Sequence, residues 1–590
     1  MKRSLSELIT TVILAFVLTF SLVSSCSAAQ NVEVVNDGSQ LILNINNRQI
    51  MGDQPPYIDH NCTLVPVSVV AKELGAIVEW NQSAQTVTIN KGNQIVLTIG
   101  STTATVNGAP TTLQAPAVIT NGRTMVPLRF VSEALGTEVN YIPQPGAAVA
   151  TGHENEFQTG NSNPLNVLKL KNPRDLKDSR TTTMVWGMIK DPINNWYDWA
   201  KELKKDGFTD VSVTVNFIDG QAVDLSYANA EKEIPQDYIN YFKYLKQNGI
   251  TLRTFLVYWD MQYRLDGGTL SYDRLNNEAE VQRYLDYVKM VVTSLKGLGF
   301  NYEIWNEPEV NRDTYQQIKT DDYIKVAKRV IPLIREIDPQ AKIILPSTGN
   351  YVDSDSREFS QAILNSDLVK QADFIALHTC NNDASPEFLK DYYYGYDVMW
   401  NGIKATAEKN GFHGRYIVDG LTYRSKYIFS IQPEIGNYHP YESEVAAKYY
   451  GRMMAINRGM DISLGLGGTN AYERVCEGRM IRNLSYLLEG LEVFSFPVNV
   501  ESDSKLVRYY TFKDAQGNLY LTIWNDNAAA VNYDGIECNI SIPNTASKSV
   551  LVMDPFNAFQ QKLVTVNNGG DLMLEKVVLK DYPMVIKISR

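Results

Sequence analysis

The sequence predicts three folded parts: a small α+β repeat domain, a (β/α)8 barrel and a C-terminal β-sandwich. Three observations carry this. A 14-residue pattern recurs early in the chain at an offset of 61 residues. Between residues 183 and 497, short β-rich windows alternate with helical stretches, the signature of βα units and a parallel sheet. From residue 498 to 590 long helical patterns disappear and strand and turn signals take over. At 590 residues the chain exceeds what one core supports, so several domains are expected.

Residues 1–29 read as a targeting segment. Lys2 and Arg3 precede an uncharged apolar run over 8–23, followed by Ser24-Ser25-Cys26-Ser27-Ala28-Ala29. Ser27-Ala28-Ala29 fits a small-residue cleavage site, which predicts a signal peptide and a secreted or cell-surface protein. Val23-Ser24-Ser25-Cys26 also resembles a bacterial lipoprotein box, so anchoring through Cys26 is the alternative to simple export.

Residues 31–147 hold the repeat. The stretch 63–76, with Val65-Pro66-Val67 and Leu74-Gly75, recurs over 124–137, with Val126-Pro127-Leu128 and Leu135-Gly136. Each copy reads as a short strand, a proline at a helix entry, an apolar helical stripe and a glycine stop. Residues 148–182 read as a linker, because Gly152, Asn155, Gly160, Asn161, Ser162, Asn163 and Pro164 leave no apolar period in its first half.

The eight barrel strands are expected at 184–188, 210–217, 251–260, 301–308, 342–346, 373–378, 416–419 and 462–466, with helices over 280–295, 323–337 (kinked at Pro332) and 444–456. No glycine-rich phosphate loop opens a helix, which counts against a doubly wound sheet. After the barrel, 519–524 and 584–588 read as strands, and Asn525-Asp526 and Asn568-Gly569-Gly570 as turns.

Composition narrows the function. Lys plus Arg number 55 against 66 Asp plus Glu, for a net charge of −11, the wrong sign for general nucleic-acid binding. The five His are scattered, and the cysteines after Cys26 (Cys62, Cys380, Cys476, Cys538) show no metal-ligand spacing or disulfide framework. No cofactor is implied.

The fourth strand window, Asn301-Tyr302-Glu303-Ile304-Trp305-Asn306-Glu307-Pro308, places a carboxylate where a barrel strand meets its loop. Catalytic groups of parallel barrels sit at such strand ends. Asn306 beside it is a candidate partner for a sugar hydroxyl. His378 and Asn216 end the sixth and second windows, and Trp186, Tyr258 and Trp259 are candidate stacking faces for sugar rings. Arg253 opens the third window and reads as structural.

Two resemblances follow from these residues. The repeated Val-Pro motif with its Leu-Gly stop resembles the copper amine oxidase N-terminal-like domain of exported bacterial proteins. That implies no copper here, since the region lacks a His/Cys cluster; the roles open to it are cell-envelope attachment and a ligand-free spacer. Ile304-Trp305-Asn306-Glu307-Pro308 resembles the acid/base motif of the large clan of retaining (β/α)8-barrel glycoside hydrolases, which carry their catalytic glutamates on strands four and seven. The resemblance implies that Glu307 is a general acid/base, protonated when it acts, and that His378 contacts substrate. Strand seven departs from the pattern: Ile417-Val418-Asp419-Gly420 lays Asp419 on the nucleophile position, one methylene shorter than Glu. Three readings stay open. Asp419 is the second carboxylate, or an acid among Asp260, Glu434, Glu442 and Glu473 replaces it, or the barrel binds sugar without cleaving it. The expectation is therefore an exported glycoside hydrolase acting on an extracellular poly- or oligosaccharide. The alternatives are a catalytically degenerate carbohydrate-binding surface protein and an envelope scaffold whose working part is the repeat.

Overall fold

The computed structural model of the chain describes residues 31–36, 41–45, 48–50, 54, 56–59, 62–142, 157–185, 197, 200–213, 234, 236–258, 274–310, 317–349, 351, 353–378, 395–421, 423, 441–466, 476–504, 506–526, 529–531, 533–547 and 549–590. The expected targeting segment, Trp186, Asn216, Trp259, Asp260, Glu434 and Glu473 lie outside these residues. The chain divides into two compact units, 1–147 and 148–590.

In the first unit the two repeat copies build three small sheets, of four, five and four strands. Strand Cys62–Pro66 leads into helix Val67–Glu73, and strand Arg123–Pro127 into helix Leu128–Ala134. The two strands pair antiparallel, with Val65 opposite Val126. These are equivalent positions of the repeat, so a local twofold axis passes between them. Gly75 and Gly136 end the helices at φ +74° and +77°, a backbone region that costs a residue with a Cβ. The helices and strands close on one core that includes Val65, Val70, Leu74, Val126, Val131 and Leu135.

The second unit contains a closed barrel of eight parallel strands in chain order: β1 Thr181–Val185, β2 Asp210–Val213, β3 Thr251–Phe255, β4 Phe300–Glu303, β5 Lys342–Thr348, β6 Phe374–His378, β7 Arg415–Leu421 and β8 Ile462–Leu466. Around it lie α1 Gln236–Gln247, α2 Glu278–Leu295, α3 Thr320–Ile337, α4 Ser354–Leu364, α5 Tyr396–Lys409, α6 Ser443–Gly459 and α7 Cys476–Leu488. The helices form where apolar residues recur at helical spacing. In α2 the stripe is Val281, Tyr284, Leu285, Val288, Val291, Val292 and Leu295, and the Asn277 side chain caps its start by accepting from Glu280 N–H. α3 runs on through Pro332, with Asp321 and Asp322 in its first turn, where they suit the helix dipole.

Two results differ from the sequence reading. β4 ends at Glu303, four residues before Glu307, because Trp305 (φ 71°) and Glu307 (φ 48°) leave the extended region. The expected linker is, from Phe157 onward, part of the second unit. Phe157 is buried in its C-terminal core, Gln158 bonds the backbone of Val564 and Glu575, and strand Leu165–Val167 pairs with Phe559–Lys562.

After the barrel come a seven-stranded sheet, which includes Leu165–Val167, and a four-stranded antiparallel sheet. Leu521, Ile523, Val552 and Ile586 from the first and Ile540, Ile542, Leu572 and Leu574 from the second meet in one core. Buried Lys448 and Arg452 of α6 tie the barrel to this region: Lys448 pairs with the Asp581 carboxylate at 2.9 Å, and Arg452 donates to the Asp581 carbonyl. Among the described residues, no helix is long and apolar enough to cross a membrane, and no three His, Cys, Asp or Glu side chains are grouped to hold a metal ion.

Candidate active site

The site is built at the ends of β4 and β6. Along β4 the alternation of a strand turns Phe300 and Tyr302 toward the helices, where both are buried, and leaves Asn301 and Glu303 for the barrel interior. The chain then bends. Two non-glycine residues with positive φ in three positions cost on the order of 1–3 kcal/mol each, a strain that persists only where surroundings impose it. Here Ile304 N–H donates to Ile344 O at 3.1 Å and Glu307 N–H to Ser347 O at 2.7 Å, both on β5. Tyr323 Oη of α3 donates to Ile304 O at 2.8 Å, and buried Trp305 packs edge-on against Tyr284 at 5.4 Å. The β4 loop is thus held by β5, α2 and α3, and it presents Glu307.

The Glu307 side chain is 32% exposed, and its Oε1 lies 2.9 Å from His378 Nδ1 at the end of β6. The imidazole is buried, and its Nε2 has no hydrogen-bond partner among the described residues. Burial alone would lower the His378 pKa. The bond to Glu307 and the negative charges of Glu307, Asp419 and Glu303 outweigh it, and the net shift is upward. Asn306 is partly buried, with an Oδ1 that is unpartnered among the described residues. An acid, an imidazole and an amide therefore meet at the carboxyl-terminal ends of the strands.

Asp419 is placed differently. It is the register partner of His378 on β7, yet its side chain is only 1% exposed. Arg253, on the opposite side of the barrel in β3, reaches across the interior and pairs with the Asp419 carboxylate. The Arg253 Nε lies 4.0 Å from Glu303 Oε2, and Glu303 Oε1 accepts from Ser347 N–H at 2.7 Å. Gly465 of β8 makes room for the pair, since a Cβ there would sit 2.1 Å from Asp419 Oδ1. Burial pushes the Glu303 carboxyl up to about 7 against the pull of Arg253, with Asp419 adding to the rise. Burial likewise raises Asp210 of β2 to about 6, again opposed by Arg253. The barrel interior thus sets two fully buried carboxyls, Glu303 and Asp419, around one buried guanidinium, with the Asp210 carboxyl of β2 close enough to feel its charge.

Sequence reasoning had singled out neither Glu303, Asp210 nor Glu309. Glu309 is 6% exposed and accepts from Gly349 N–H at 2.5 Å, clasping the loops after β4 and β5. The inward parity of Glu303, four residues before Glu307, was the signal available for it. By its place in the sequence Arg253 reads as structural, and the structure makes it the partner of Asp419. Tyr258 is buried in a stack on Tyr287 at 5.1 Å, so its ring is a packing surface. Glu442 lies exposed just ahead of α6.

Comparison with known proteins divides along the same lines. Residues 44–147 match the copper amine oxidase N-terminal domain family. No curated protein matches the chain. Among solved structures, a family 39 glycoside hydrolase from Bacteroides cellulosilyticus superposes with a TM-score of 0.50 at 13% identity, over 87% of this chain and 94% of that one. The catalytic domain of a GH30 xylanase C from Talaromyces cellulolyticus gives 0.43 at 12% identity, over 72% and 98%. A family 51 α-L-arabinofuranosidase from Bifidobacterium longum gives 0.41 at 12% identity, also over 72% and 98%. At such identity the first of these speaks for the fold alone: the second unit contains a closed barrel of eight parallel strands.

Proposed function

We propose that the chain is an exported glycoside hydrolase that cleaves a glycosidic bond in an extracellular poly- or oligosaccharide. The observation that carries the reading is the Glu307–His378 pair, a partly exposed carboxyl at the end of β4 held at 2.9 Å by a buried imidazole at the end of β6. In this reading Glu307 protonates the leaving glycosidic oxygen as its bond to the anomeric carbon breaks, and water adds to that carbon and gives up a proton. Asn306, partly exposed beside Glu307, takes a hydroxyl of the sugar, and His378 at the end of β6 holds Glu307 in place. The first unit attaches the protein to the cell envelope, and the two C-terminal sheets form a β-sandwich that buttresses the barrel.

One observation favours a second reading. Asp419, the residue laid on the nucleophile position, is buried and committed to Arg253, which suits a barrel that binds carbohydrate without cleaving it. The test is a screen of the protein and its Glu307→Gln variant against aryl glycosides and plant and bacterial polysaccharides. Turnover by the parent that Glu307→Gln abolishes supports the hydrolase. Saturable glycan binding by both, with turnover by neither, supports the binding protein.

A further inference from the structure

The arrangement beneath Glu307 gives Asp419 a role that the hydrolase reading leaves open. Among the described residues, Glu307 from the loop after β4 bonds His378 directly, and Asp419 from β7 and Glu303 from β4 add negative charge that acts on the ring. Glu307 lies on the mouth side of the imidazole, at its Nδ1. Asp419 lies beside it in register on the neighbouring strand, buried, and is pinned there by Arg253 from β3. Arg253, Asp419 and Glu303 are all within 1% of full burial. If all were ionised, the carboxyls Asp210, Glu303 and Asp419 would carry three negative charges against the single positive charge of Arg253. Protons held by Glu303 and Asp210, both raised by burial, relieve part of that excess, and an imidazolium at His378 relieves more of it.

The position of Asp419 also works against direct attack on substrate. A nucleophilic carboxylate must reach the anomeric carbon from the open cleft. The Asp419 side chain is short, 1% exposed and held by a guanidinium, and it packs onto Gly465 where even a methyl group has no room. We propose that Asp419 is a positioning residue: seated on Arg253 beside His378, it stabilises the imidazolium that orients Glu307 and whose Nδ1 proton Glu307 takes up as it hands its own to the leaving oxygen, and it forms no bond to the sugar. The charge of Asp419 thus acts on Glu307 through the His378 ring. Its kinetic consequence rests on the hydrolase reading; the charge relationship does not.

The test is therefore a titration that needs no substrate. The full chain carries five histidines, and the His378 ring can be assigned in an NMR pH series by its loss in His378→Gln. Asp419→Asn keeps the shape of the side chain and removes its charge, and is expected to weaken proton binding by His378 roughly tenfold, about one pKa unit. Because that variant leaves Arg253 buried and unpaired, Asp419→Asn combined with Arg253→Met is measured beside it, and the same downward direction is expected. A His378 titration unchanged from the parent in either folded variant overturns the proposal, as does a glycosyl ester on Asp419 detected by mass spectrometry during turnover. A protein that turns over no glycoside while His378 shifts as expected would sink the hydrolase reading and leave the charge relationship standing.

Discussion

Glu307 Oε1 and His378 Nδ1 stand 2.9 Å apart across the ends of β4 and β6, and both side chains reach this contact from backbone held by neighbouring strands. Glu307 N–H bonds Ser347 O, and His378 O accepts from Tyr351 N–H. The contact is thus fixed by the barrel. Because Glu307 is partly exposed, replacing it should leave the fold intact. Glu307→Gln is expected to lower turnover by roughly 10²–10⁴-fold, with a thermal midpoint close to the parent. His378→Gln should keep part of the activity and shift the pH profile, since it removes the charge beside Glu307 and leaves the carboxyl. Kinetics across pH 4–9 on a responsive aryl glycoside check both.

The buried cluster makes stability depend on pH. Glu303 is raised from 4.5 to about 7 and Asp210 from 3.8 to about 6 in the folded protein. A carboxyl with a raised folded pKa binds its proton more tightly in the native state than in the unfolded chain. Its contribution is therefore fully present below the unfolded pKa and is lost as pH rises through the folded one. The window runs from about pH 4 to 7. His378, also raised, adds a loss of the same sign above its ordinary 6.5. Urea unfolding at pH 5 and 7.5 should show lower stability at the higher pH, by an order of 1–3 kcal/mol. Glu303→Gln, which keeps a neutral side chain at every pH, should flatten that dependence. A Glu303→Gln profile as steep as the parent's would remove Glu303 as the cause.

The parts of this fold that local pattern encodes were legible in the chain. Every barrel strand lies within or overlaps its expected window, because β-rich runs and helical stripes are local signals. The repeat was visible for the same reason. The end of β4 was not. Ile304 and Trp305 suit a strand by propensity, and only the grip of Ser347, Ile344 and Tyr323 turns the chain there. The segment from Phe157 to Val167 reads as linker by its Asn and Gly content, yet the side chains of Asn161 and Asn163 bond the Lys562 carbonyl. At the site, Glu307 stood out through its neighbours Trp305, Asn306 and Pro308. The pairing of Arg253 with Asp419 spans 166 positions of sequence and the full barrel interior, and no local signal carries it.

Two glycines separate close approach from mere flexibility. At Gly465 a Cβ would lie 2.1 Å from Asp419 Oδ1 and 3.2 Å from the Asp419 Cα. Neither can yield easily, because Arg253 holds the carboxylate and β7 the backbone. Gly465→Ala should destabilise the protein by about 1–3 kcal/mol. Gly402, exposed inside α5, has nothing within 4 Å of its would-be Cβ. Gly402→Ala should be neutral or stabilising by up to about 1 kcal/mol, through helix propensity. Thermal melts of the two variants check the contrast.

The seam between the barrel and the C-terminal sheets turns on Asp581. Its carboxylate lies 2.9 Å from Lys448 Nζ and accepts from Ala530 N–H at 2.9 Å, while its carbonyl accepts from Arg452 Nε at 2.8 Å. Lys448 and Asp581 are 3% and 0% exposed, so water cannot replace the pair. Removing the carboxylate leaves a buried ammonium unmatched, at a cost of about 3–5 kcal/mol. Asp581→Ala should therefore lower the unfolding midpoint steeply. Combining it with Lys448→Met removes both charges and should recover much of the loss, since an apolar pair of similar volume is often no worse than a buried ion pair. Urea unfolding of the single and double variants measures the coupling. A double variant no more stable than Asp581→Ala would show that the carboxylate matters through Ala530 and the local backbone, and that the ion pair across the seam contributes little.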